Sequence, residues 1–352
     1  MNAVEKENPA SVNQNVNKPE KEFLFMKKYL LIILSALTLG IIISCDVSET
    51  DQTTDIEAAI MRVIAADDST YGLEGMDDIE DDDFSLGKSP VAEQTLSLPA
   101  ILAFRDSNYV WRFGRRGMEI ERVVTVEVED DSSAVALISH HITGTFHTRQ
   151  FERVWTEENV WERGDSVRFS VKPIEMTTNR RVAFRKRLNA AGEERWNPVA
   201  MTLLSGHSGE ALDIESMAWV YEDTTIAFSN FDTEFYRRDR PLVISQRGVN
   251  HMNIMVSNDV DGAAEMVTGR LGYNPRLGNP DSRSRFHFHY VETLENGDKV
   301  YSQRIVPNRL QRRNFKGFVE VIDYRTLFDH DYVDYSSTTL GFIYTTRERT
   351  RP

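Results

Sequence analysis

Cysteine is nearly missing: the 352 residues contain one, Cys45. An intramolecular disulfide is excluded, so stability must come from buried surface rather than covalent staples. Long apolar runs are also scarce. The clearest extends from Tyr29 to Ile43, broken by Ser35, Thr38 and Gly40; a run of about 15 residues is short of the roughly 20 that a bilayer span needs. Positive charge is in deficit, with 41 Lys and Arg against 55 Asp and Glu. An acidic chain carries no electrostatic footprint for phosphate backbones, which argues against nucleic acid as a partner. The chain has no Gly-x-Ser-x-Gly, no His-Glu-x-x-His, no phosphate-cradling glycine loop and no reactive cysteine, so the common hydrolase and nucleotide-binding signatures are missing.

What is present is ordinary globular material, 40% hydrophobic, 27% charged and 10% aromatic. This supports real cores and, at this length, about two domains. The charge is unevenly spread. Residues 46–83 hold fourteen acids and one base, residues 1–45 are nearly balanced, and residues 84–352 hold 37 acids and 35 bases. The body is close to neutral, and the acidity belongs to one segment.

The apolar run has flanks that name its role. Lys27 and Lys28 precede it, and Ile42-Ile43-Ser44-Cys45 closes it, the charged, apolar and small-residue order of a signal peptide. The closing four residues resemble the lipobox of bacterial lipoproteins. The resemblance covers about 20 residues. It implies a diacylglycerol on the Cys45 thiol, cleavage between Ser44 and Cys45, and a further acyl chain, such as palmitate, on the new amino group. Two or more chains anchor stably, at about 0.8 kcal/mol per buried CH₂. Membrane lipid is thus the first expected partner. The expected location is the cell envelope, at the outer membrane on its periplasmic side or at the surface. Residues 1–25 read as a non-native or disordered extension before a start at Met26, residues 26–44 as the signal peptide, and residues 45–54 as a tether.

Ile56, Ile60, Val63 and Ile64 fall at helical spacing behind Asp55, an N-cap residue, which predicts an amphipathic helix. The acidic stretch Asp67–Asp83 has no periodicity and reads as a loop. Pro99 opens a second short helix over 98–104. From Glu119 the period becomes two. Val124, Val126 and Val128 share a strand face, Asp130-Asp131-Ser132-Ser133 turns, and Ala134 to His147 returns. Val167, Phe169 and Val171 alternate with Arg168, Ser170 and Lys172, as do Val182 and Phe184 with Arg181, Ala183 and Arg185; each reads as a half-buried strand with its apolar row inward. Asn189–Gly192 turns to a strand from Trp196, and further strands follow at 214–221 and 224–229.

Arg237-Arg238-Asp239-Arg240-Pro241 reads as a boundary. Seven strands follow, with Asn296-Gly297 as the strongest hairpin signal. The fold class expected is mainly β. Residues 55–236 form a helix plus a curved antiparallel sheet, and residues 241–352 a β-sandwich, immunoglobulin-like in architecture without the disulfide. The helix-then-strands order, with 182–187 and 195–200 as its last strands, is loosely similar to the nuclear transport factor two-like cone. That resemblance implies a pocket inside the curved sheet.

Candidate chemistry is sparse. His287 and His289 share a strand face and suit zinc or copper, although Phe286, Phe288 and Tyr290 alternate with them on the core side. His140 and His141 adjoin and point to opposite faces. Asp77, Asp78, Glu80, Asp81, Asp82 and Asp83 offer hard oxygens for calcium but lack the EF-hand spacing, and a solvated acidic loop is the simpler reading. Leu204-Ser205-Gly206-His207-Ser208-Gly209 reads as a polar turn. Arg304, Arg309, Arg312 and Arg313 read as a solvated loop. No catalytic residue and no cofactor is assigned. The function expected is a membrane-anchored, non-enzymatic envelope protein that binds a protein or glycan partner. The alternative is a small-ligand or enzymatic pocket in the first domain, lined by Trp111, Trp196 or Trp219.

Overall fold

Alternating valines, isoleucines and aromatics dominate the chain after residue 108, and the computed structural model turns most of the described part of that stretch into strands, paired antiparallel except for one parallel pair. The structure describes residues 50–67, 73, 109–156, 161–209, 211–221, 223–237, 242–245, 250–259, 264–273, 284–305, 314–329 and 331–347. The fold is mainly β, with two helices among these residues. The 98–104 helix, the signal segment and the tether up to residue 49 lie outside the described residues.

Helix α1 spans Thr50–Ala66, so it starts five residues before Asp55 and takes in 50–54, which was expected to belong to the tether. Ile60 and Ile64 are fully buried and Ile56, Ala59 and Val63 partly so, the apolar stripe expected from the spacing. Three very long strands follow, β1 (Tyr109–Asp130), β2 (Ser133–Trp155) and β3 (Trp161–Leu188). The β1–β2 hairpin closes at the expected turn. Asp130 accepts from the Ser132 N–H at 2.7 Å and from the Ser132 and Ser133 hydroxyls at 2.8 Å. These bonds, Ser133 first, pull its carboxyl down to about 2.

The remaining strands are β4 (Glu194–Met201), β5 (Leu204–Ser208), β6 (Leu212–Tyr221), β7 (Thr224–Phe228), β8 (Tyr236–Arg237), β9 (Leu242–Ser245), β10 (Asn250–Asn258), β11 (Glu265–Tyr273), β12 (Ser284–His287), β13 (His289–Thr293), β14 (Lys299–Ile305), β15 (Asn314–Asp323) and β16 (Ser337–Arg347), with helix α2 (Tyr324–Phe328) between the last two. The larger sheet runs β1-β2-β3-β5-β16-β15-β11-β12, with β4, β8 and β9 attached at its side; the smaller runs β13-β14-β10-β6-β7. The hairpins at Gly192 and Gly297 are built alike. Each glycine N–H closes a bond of 3.0 Å to the residue three before it, Asn189 or Leu294. Each glycine takes a positive φ, 79° and 94°, as in a three-residue loop with a glycine bulge.

The expected break at Arg237–Pro241 does not divide the sheets. β5 pairs with β16 and β6 pairs with β10, so both sheets mix strands from before and after it, and residues 52–352 form one compact unit. Pairing rather than sequence proximity decides which strands share a core. Between the sheets one cluster joins Trp219, Met252 and Ile254 to Val319, Leu340 and Phe342. The sandwich therefore takes β6 and β7 from before the expected break.

The segment from 204 to 208 is a strand, not a turn. Gly206 is what permits it: a Cβ there would sit 2.5 Å from the Thr178 side chain and 2.9 Å from the Thr177 carbonyl, so only glycine lets β5 close against β3.

Candidate functional site

The three long strands form a ribbon at one end of the larger sheet. Its inner face is set by parity. Ala134, Ala136, Ile138, Ile142 and Phe146 of β2 face the core with Ile174, Met176, Val182 and Phe184 of β3. Polar residues share this parity and are buried with them: His140, Thr178, Lys172 and, on β1, Arg115. Register extends one polar row across the sheet. Arg122 opposes His140, then Thr178, Gly206, Thr339, Glu320, Thr268 and His287 follow strand by strand.

Arg115 forms an ion pair with Glu320, and both side chains are nearly buried. Tyr335 completes the cluster: its hydroxyl accepts from Arg115 Nε at 3.2 Å and donates to Glu320 Oε1 at 3.0 Å. β1 and β15 are five strand positions apart, about 24 Å in a flat sheet. Direct contact between their side chains therefore requires the sheet to curl over its second core, which contains Phe146, Met176, Phe318 and Tyr335. A curved sheet was expected within residues 55–236; the one observed also takes β15 and β16 from beyond that range.

Lys172 is a second buried cation on the ribbon. Its Nζ donates to the carbonyls of Arg325 at 2.9 Å and Asp329 at 2.8 Å, and lies 5.2 Å from the Tyr332 ring. Burial pulls its ammonium down to about 8, against the attraction of Asp329, Asp323 and Asp334. It caps the carbonyl end of α2, whose amino end is capped by Asp323 through a 2.7 Å bond from the Arg325 N–H. Arg115 and Lys172 together fasten residues 324–335 across the curled sheet. A third buried group ties the two sheets. Glu265 on β11 accepts from Tyr301 Oη at 2.6 Å and Lys299 Nζ at 2.8 Å, both on β14. Burial and that carboxylate push the Tyr301 phenol far up. In the Glu320 and Glu265 clusters the buried carboxylate is met by a cation and a phenol, the pairing that burial demands.

Beside Arg115 lies a small apolar cavity lined by Leu73, Met118, Ile120, Ile142, Ile174 and Met176, with a volume of about 10 Å³. That holds at most one water. None of the three expected tryptophans lines it. Trp219 is buried between the sheets and donates from Nε1 to the Val243 carbonyl at 2.9 Å. Trp111 meets Phe328 edge to face at 5.2 Å, and Trp196 lies under Lys186 at 5.6 Å.

The outer face of the ribbon reverses the expected orientation. Val167, Phe169 and Val171 are 43%, 52% and 46% exposed, while Lys172 is buried. The cause is strand length. β3 is continuous over 28 residues, and its odd-numbered apolar row at 167–171 is out of phase with Ile174, Met176, Val182 and Phe184. Only one phase can face the core, and the longer even-numbered row takes it. On the outer face the Arg149 guanidinium lies 5.2 Å over the Phe169 ring, His147 packs 5.5 Å from the same ring, and Arg112 lies 5.9 Å from the Phe151 ring.

His287 and His289 fall on different sheets. The strand breaks at Phe288, which is buried and bonds through its N–H to the Val267 carbonyl at 3.0 Å; His287 then pairs with Thr268 and His289 with Ser302. The shared strand face expected for zinc or copper is therefore interrupted. No group of three or more His, Cys, Asp or Glu side chains able to hold a metal occurs among the described residues. Ser44, Cys45 and the calcium candidates Asp77, Asp78, Glu80, Asp81, Asp82 and Asp83 lie outside them. No described helix is long and apolar enough to cross a membrane. No family model, no curated protein and no solved structure matches the chain. The buried ionic clusters went unforeseen because their members come from distant strands. The available signal was a polar residue in phase with a core row, as at His140, Thr178 and Lys172.

Proposed function

We propose that this chain is an envelope lipoprotein, held in the membrane by acylated Cys45, whose β-rich body is a non-enzymatic binding protein. The observation that carries the binding half is the outer face of the ribbon. Phe169 and Val171 stand exposed in one row beside arginine and histidine, with Val167 exposed at the register slip next to them, and an exposed apolar patch rimmed by polar groups marks interaction surfaces. The anchoring half rests on the residue pattern from Lys27 to Cys45. The alternative, a small-ligand or enzymatic pocket, would use the cavity beside Arg115. Its volume of about 10 Å³ and the engagement of Arg115 by Glu320 and Tyr335 weigh against it.

Two measurements test the reading. Cys45→Ala is expected to lose lipid labelling and to leave washed membranes; full retention without a mass shift sinks the anchor. A photo-cross-linking phenylalanine analogue at Phe169 is expected to give a discrete adduct in intact cells. The same analogue at Leu188, 69% exposed at the other end of β3, is expected to give none. Equal or absent adducts at the two positions sink the binding surface.

A further inference from the structure

The ribbon has two open edges among the described residues. β1 has β2 as its one partner, and β3 is paired on its far side only from Thr177 onward, by β5 and β4. Open edges are templates for another strand, and proteins block the ones they do not use with like charges, bulges or proline. β1 is blocked. Glu119, Glu121, Glu127 and Glu129 line one of its faces, and the register with β2 slips between Arg116 and Glu119. From 168 to 176, β3 carries no such run of charge.

The direction of the β3 backbone follows from its paired half. The Arg181 carbonyl accepts from the Thr202 N–H at 2.9 Å, and the Arg181 N–H donates to Thr202 Oγ1 at 3.0 Å. Odd-numbered residues thus turn both backbone groups away from β2. Register with β2 is unbroken from Arg168 to Arg185, so Phe169 and Val171 present their N–H and C=O groups to the open edge. Pro173 has the same parity, and a proline is tolerated in a strand where its missing N–H faces an unpaired side. The same two residues put exposed apolar side chains on the outer face. Arg149 and Arg112 lie across the ribbon from Phe169, and His147 across from Val171.

We infer that the open edge of β3 between Arg168 and Pro173 takes an extended acidic polypeptide segment as an added strand. It pairs through the backbone of Phe169 and Val171, and sets its carboxylates against Arg149 and His147. This rests on the reading of the ribbon as the binding surface and names the chemistry of its partner. Backbone pairing supplies affinity, and alternate side chains supply selectivity. The proline at 173 and the register slip below Arg168 limit the added strand to a few residues, so binding is weak and reversible. Tethering to a membrane raises the local concentration enough for such a contact to matter.

The test uses the full chain in detergent and three fluorescent octapeptides. One alternates Glu and Val, the second alternates Lys and Val, and the third is the Glu–Val peptide N-methylated at alternate amides. The Glu–Val peptide is expected to bind at least about tenfold more tightly than either other peptide, with affinity falling as salt rises. Arg149→Glu and Phe169→Asp are each expected to lose about tenfold, with Arg187→Glu, on an exposed part of β3, unchanged. Arg149→Gln serves if Arg149→Glu does not fold. Equal binding of all three peptides, or full binding by the ribbon variants, overturns the inference; so does a Phe169-dependent dimer that excludes the peptides. If the peptides fail while Phe169 still cross-links in cells, the partner chemistry falls and the binding surface stands. If neither is seen, both fall.

Discussion

In β10, Met252, Ile254 and Val256 are buried, and Asn253 and Ser257 alternate with them toward the surface. In β3 the same kind of alternation runs the other way: Lys172 is buried and Phe169 and Val171 are exposed. Both strands are amphipathic, and a sequence reading treats them alike. The difference lies in what each strand must match. β10 sits between β14 and β6 and has one apolar row to bury. β3 carries two rows out of phase along one continuous strand, and burying 174, 176, 182 and 184 forces 169 and 171 outward. Alternation shows that a strand has two faces; continuity decides which of them is the core.

The largest effect expected from disturbing this arrangement is loss of the fold when the chain is cut at the apparent boundary. Residues 241–352 alone would keep β10 without β6 and β16 without β5. The fragment is expected to be aggregated or unfolded, with no cooperative thermal transition. Co-expression with residues 46–237 is expected to restore a soluble complex. A fragment that melts cooperatively by itself would show that the sandwich is closed without β5 and β6.

Next come single groups buried in the body. Trp219→Ala removes a fully buried ring that packs 5.3 Å from Phe342, and a loss of about 3–5 kcal/mol is expected from urea unfolding. Arg115→Met leaves Glu320 buried with a phenol but no cation, and breaking a buried pair costs about 3–5 kcal/mol. Arg115→Met with Glu320→Leu removes both charges and is expected to recover most of that loss. Additive losses in the double variant would mean that the curled sheet needs the ion pair itself.

Much of the fold was readable in the residues. The β class, the hairpin at Asp130–Ser133, the turns at Gly192 and Gly297 and the apolar stripe of α1 all follow from local pattern. Sheet membership was not readable, because Gly206 and Thr339 meet across 133 positions of sequence and nothing local encodes that pairing. Helix α2 was not readable either. At five residues it is too short for a periodic signal, and it is held by its Asp323 cap and by Lys172 from another part of the chain. The ribbon surface was half readable: the apolar row was visible, but its direction depends on the phase of residues up to 17 positions later.

Lys172 gives a smaller, pH-dependent effect. Its ammonium is pulled down to about 8 in the fold, while the unfolded chain keeps the ordinary value of about 10.4. Between these values the unfolded state binds more protons, so stability rises with pH across the window. Tyr301 and Tyr324 act in the opposite sense. Burial raises both, with Glu265 adding to each, so their contribution is lost once unfolded tyrosines ionise, above about pH 10. Urea midpoints are expected to rise from about pH 8 to about pH 10 and then to fall. Lys172→Met is expected to abolish the rise and keep the fall. A rise that survives in this variant would assign the titration to another group.

The smallest effect on stability is expected where the sequence pattern is strongest. Val167, Phe169 and Val171 have the cleanest apolar alternation in the ribbon, and a pattern-based argument would make Phe169→Ser a core mutation costing about 3 kcal/mol or more. The structure puts Phe169 at 52% exposure with its ring against Arg149 and His147. Removing it forfeits a cation–π contact worth about 0.5–1 kcal/mol at an exposed site and also removes apolar surface from water. The two partly cancel, and surface substitutions usually fall within about ±0.5 kcal/mol. Phe169→Ser is therefore expected to unfold within about 0.5 kcal/mol of the parent and to lose the cross-link made at this position. A loss of several kcal/mol would mean that the row at 167–171 faces a core after all, and that the strand changes phase between Val171 and Ile174.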